Sequence, residues 1–175
     1  MSKEQKDPEL KFTIKQTKDF ISAIIGNEKE ETQKKQEKDG KAIVTLISLL
    51  TNKEDPQIKL DALKELKTEA AKEILLKAIA VTEDIRIRQV LVAACWEAGL
   101  DFSRYVSFFV QLAIISDLQV CLDALTIIED MQGPFDNTVL LDCIKKLEEA
   151  KNKADDKKSV FLSDIIDNLS RHLTN

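Results

Sequence analysis

Three phrases in this chain share one pattern: "DPQIKLDALKEL" from Asp55, "DIRIRQVLVAAC" from Asp84 and "DLQVCLDALTII" from Asp117. Each opens on Asp and places an aliphatic residue three positions on, at Ile58, Ile87 and Val120. Seven and eight positions on come Ala62 and Leu63, Leu91 and Val92, Ala124 and Leu125; eleven on come Leu66, Cys95 and Ile128. These intervals keep to one face of a helix. The phrases start 29 and 33 residues apart, room for two short helices and two turns, so the spacing predicts a chain of helix pairs.

The punctuation between phrases agrees. Asp55 is a good N-cap and Pro56 suits the first helical turn, where its missing N–H costs nothing. Gly99 and Gly133 fall where helices are expected to stop, and Pro134 blocks continuation. Asp101 and Asp136 are placed to cap the helices that follow. Second helices are predicted at "TEAAKEILLKAIAV", "FSRYVSFFVQLAIIS" and "NTVLLDCIKKLEEAK", with "KAIVTLISLLTN" in the same role before Asp55. Only four glycines and three prolines interrupt the chain, and no stretch alternates as a strand would. The fold class read from this is all-α, with eight or nine helices.

The ends differ from the middle. In "KKSVFLSDIIDNLSRHL", Leu162, Ile165, Ile166, Leu169 and Leu173 form one apolar face, as a terminal capping helix requires. Near the start, Phe12, Phe20, Ile21, Ile24 and Ile25 form another, while residues 26–41 contain no apolar side chain. The pairs Glu30–Lys34 and Glu31–Lys35 favour a helix running into solvent and stopping at Gly40, with a charged linker as the alternative. The expected organisation is an N-terminal helix with a charged extension over 1–40, repeats over 41–153 and a capping helix over 154–175, in one continuous domain.

The phrase Asp84–Arg88 resembles the first helix of a HEAT-type repeat: Asp, an aliphatic residue three on, and a basic residue directly after it. Arg88 fits, and Lys59 fits in the Asp55 phrase; Cys121 departs from it in the third. The resemblance covers roughly residues 40–150. It implies an α-solenoid, here an α-α superhelix of about four antiparallel helix pairs, and a protein-binding scaffold, without naming a ligand. It also implies that Arg88 bonds an Asp-led turn of a neighbouring repeat, at Asp55 or Asp117. At about 100° per residue Trp96 falls on the far side of its helix from the core line Ile87, Leu91, Ala94 and Ala98, where a solenoid packs it between repeats, with an exposed binding anchor as the alternative.

Inventory narrows function. His172 is the only histidine, so Ser-His or Cys-His catalysis and His-based metal sites cannot be built elsewhere. No GxGxxG, P-loop or GxSxG occurs. No cofactor, no metal and no enzymatic activity are expected. Cys95, Cys121 and Cys143 are odd in number and unrelated in spacing, which reads as reduced thiols in a cytoplasm. No apolar stretch has the length of a signal peptide or a membrane span.

The net charge of −5 is unevenly placed: residues 84–144 hold three basic groups, all arginine, against nine carboxylates, and no lysine lies between Ala78 and Ile144. Such a field repels phosphate backbones, so nucleic acid is not expected as a partner. The expected partner is another protein with a basic segment. Two surfaces are candidates. One is the stripe Ser103, Arg104, Ser107 and Gln111, bordered by Phe108 and Ile114; solenoids place such second helices on their concave face. The other is an acidic rim of Asp123, Glu129, Asp130 and Asp136 around the Asp117 helix, where reversing Asp123 and Asp130 is expected to weaken binding without harming the fold. The alternatives are a compact helical bundle serving as a structural subunit, and a HEAT-like nucleic-acid enzyme, which the charge disfavours.

Overall fold

The computed structural model describes residues 32–51, 56–65 and 68–173. Among them the chain forms eight α-helices and no strand: α1 (Thr32–Leu50), α2 (Pro56–Glu65), α3 (Glu69–Val81), α4 (Ile85–Glu97), α5 (Val106–Ile115), α6 (Leu118–Glu129), α7 (Asn137–Lys151) and α8 (Asp156–Leu173). One turn of 3-10 helix, Ser103–Tyr105, leads into α5. No described helix is long and apolar enough to cross a membrane. The N-terminal apolar face and the Asp55 cap lie outside the described residues.

Helix starts follow the side-chain chemistry that the spacing anticipated. The Asp84 carboxylate accepts from the amides of Arg86 and Ile87 at 2.8 and 3.1 Å. Asp117 accepts from Gln119 and Val120 at 2.9 and 3.1 Å, and Asp136 from Thr138 and Val139 at 2.7 and 3.3 Å. Thr68 and Asp155 do the same for α3 and α8. Each cap occupies amides that the first turn leaves without an intrahelical acceptor.

Two helix ends differ from expectation. Gly40 does not stop a helix: α1 runs through it from Thr32 to Leu50, so the boundary drawn at 40 falls inside one element. An interior glycine costs only about 1 kcal/mol relative to alanine, and the lysine- and glutamine-rich turn before it propagates a helix well. Gly133 does not end α6, which stops at Glu129 and is capped by Asp130. Gly99 does serve as anticipated: with φ of +61° it follows α4 and its N–H donates to the Trp96 carbonyl at 3.0 Å.

The chain divides into two compact units, Met1–Ile87 and Arg88–Asn175. In the first, α1 packs against α2 and α3 around Leu50, Ala62, Leu75, Leu76 and Ile79. In the second, the closest packing joins α5 with α6 and α7 with α8. Helices two apart also touch there: α5 meets α7, and α6 meets α8. Leu140, Leu147, Leu162, Ile165 and Leu169 are buried between α7, α8 and their neighbours; burial of each such side chain is worth about 1.5–3 kcal/mol. Phe102, Phe108 and Phe109 meet edge to face, with centroids 5.2 Å apart in both pairs.

Candidate functional site

The stripe on the Ser103–Ile114 segment is only partly accessible, because α5 is covered by α6, α7 and α8 together. Ser103 is buried. Its hydroxyl donates to the Asp101 carboxylate and accepts from the amides of Gln132 and Gly133 at 3.1 and 2.9 Å. One donor and two lone pairs are thereby all engaged. Phe108, 2% exposed, faces inward against Phe109. Ser107 is half-buried with its Oγ 3.5 Å from the Cys143 sulfur. Gln111 and Ile114 are half-buried, and Arg104 is exposed. Sequence spacing identified a polar line but not which side of it met protein.

The acidic rim also separates into different roles. Glu129 and Asp130 are exposed. Asp136 caps α7, and those amide hydrogen bonds hold its carboxyl below the usual range. Asp123 is 8% exposed and accepts from Gln119 Nε2 at 3.2 Å and from the Trp96 indole. Burial raises its pKa, and the hydrogen bonds from Gln119 and Trp96 oppose that rise. Reversing its charge therefore strikes the interior as well as the surface, contrary to the expectation of an intact fold. With Asp84, Asp101 and Asp117 also bonded to amides at the starts of helical turns, much of the acidic excess is explained by capping.

Trp96 and its neighbours form a second arrangement. Trp96 is 40% exposed, so it is neither fully packed nor free of contact, since its indole meets Asp123 of α6. Gln89 Nε2, seven positions earlier, lies 3.5 Å from Asp117 Oδ1. Arg88, for which a bond to an Asp-led turn at Asp55 or Asp117 was anticipated, is half-buried. On the open face of α6, Leu118 and Leu122 are each 38% exposed. The angular pattern placed Trp96 on the far side of α4, but nothing local revealed its partner on another helix.

Lys158 went unnoticed in the sequence because its partners lie 42 and 44 residues away. Its Nζ donates to the Ile114 carbonyl at 2.7 Å and to the Ser116 carbonyl, closing the C-terminal end of α5. Burial lowers its pKa, against the opposing influence of Cys121, Asp117 and Asp155. The three thiols are unpaired and buried. Burial raises the pKa of each, most strongly at Cys95, where the Asp123 carboxylate adds to it. His172 lies against the Phe135 ring, centroids 4.7 Å apart. Among the described residues, no group of three or more His, Cys, Asp or Glu side chains could hold a metal ion.

No protein-family model, curated protein or solved structure matches this chain.

Proposed function

We propose that this chain is a non-enzymatic protein-binding scaffold of HEAT-like helical repeats, acting in the cytoplasm on a partner that carries a basic segment. The observation that carries the reading is the contact between helices two apart: α1 with α3, α5 with α7, and α6 with α8. Stacked helix pairs bury their faces in this way, each helix touching its successor and the helix after that. Such arrays offer extended surfaces rather than a single enclosed cleft. The thiols support the assignment in a simple way: buried and protonated, they are poor nucleophiles and suit a reducing compartment. The arginine-only, carboxylate-rich stretch 84–144 favours basic protein surfaces over nucleic acid.

Affinity purification of the tagged full-length chain from its native cell, followed by reconstitution from purified components, tests the reading. The expected result is a defined complex with one protein at fixed stoichiometry. A chain that purifies alone, and whose retention on DNA at low salt is strong, contradicts it.

A further inference from the structure

We draw no further inference here: the strongest candidate, the side-chain cluster where Lys158 of α8 meets the Ile114 and Ser116 carbonyls beside the unpartnered Ser116 Oγ and Asp117 Oδ2, carries nothing, because the surrounding protein already closes both oxygens off and nothing in the structure shows a ligand or partner that would meet them.

Discussion

At Ser103 one hydroxyl holds the loop before α5 to the loop after α6, through Asp101 on one side and the amides of Gln132 and Gly133 on the other. Ser103→Ala leaves both amides short of a partner in a partly buried place, which should cost about 1–3 kcal/mol in denaturant unfolding. A loss no larger than that of an exposed-surface substitution would mean that water replaces the hydroxyl freely. Cys95 gives a pH signature. Its thiol stays protonated in the fold but ionises above about pH 8.5 when unfolded. The folded state then binds more protons, so stability falls as pH rises through that region, by at most about 1.4 kcal/mol per unit for each thiol. Between about pH 8.5 and pH 10 the parent should lose about 1–2 kcal/mol more than Cys95→Ala. The depressed Lys158 contributes with the opposite sign in both proteins and cancels in that comparison. Identical pH slopes would contradict the buried, protonated thiol.

At the scale of elements, capping explains the recurring Asp. Asp117→Ala removes the acceptor for two first-turn amides and should lower stability by about 1 kcal/mol. Asp130→Ala, at an exposed α6 terminus, should stay within about 0.5 kcal/mol. Equal shifts in unfolding midpoint would remove the distinction between capping and surface carboxylates. These caps were legible in the sequence because an Asp and the amides two and three residues on are neighbours in the chain. The α8 face was legible for the same reason: Leu162, Ile165 and Leu169 recur at helical spacing and are buried. What was not legible depends on partners distant in sequence. The same helical wheel that drew Ser103 and Phe108 on an accessible stripe cannot register the helices that cover α5. Asp123 reads as one more surface carboxylate until Gln119 and Trp96 are seen around it. Gly40 misled in another way, since a local propensity cost was treated as a stop.

At the scale of the whole molecule, each unit has its own helix contacts and buried side chains, and the carboxylate-rich stretch lies mostly in the unit from Arg88 to Asn175. Capping accounts for Asp84, Asp101, Asp117 and Asp136, and burial for Asp123. Glu129 and Asp130 are exposed at the end of α6. Charge of this kind acts mainly on encounter, over a Debye length of about 8 Å at physiological salt. The most direct measurement is stopped-flow association of the full-length chain with its purified, labelled partner at increasing salt. The account predicts an association rate that falls at least about tenfold between about 0.05 M and 0.5 M salt, with the dissociation rate much less affected. A complex that forms at a rate independent of salt would contradict it.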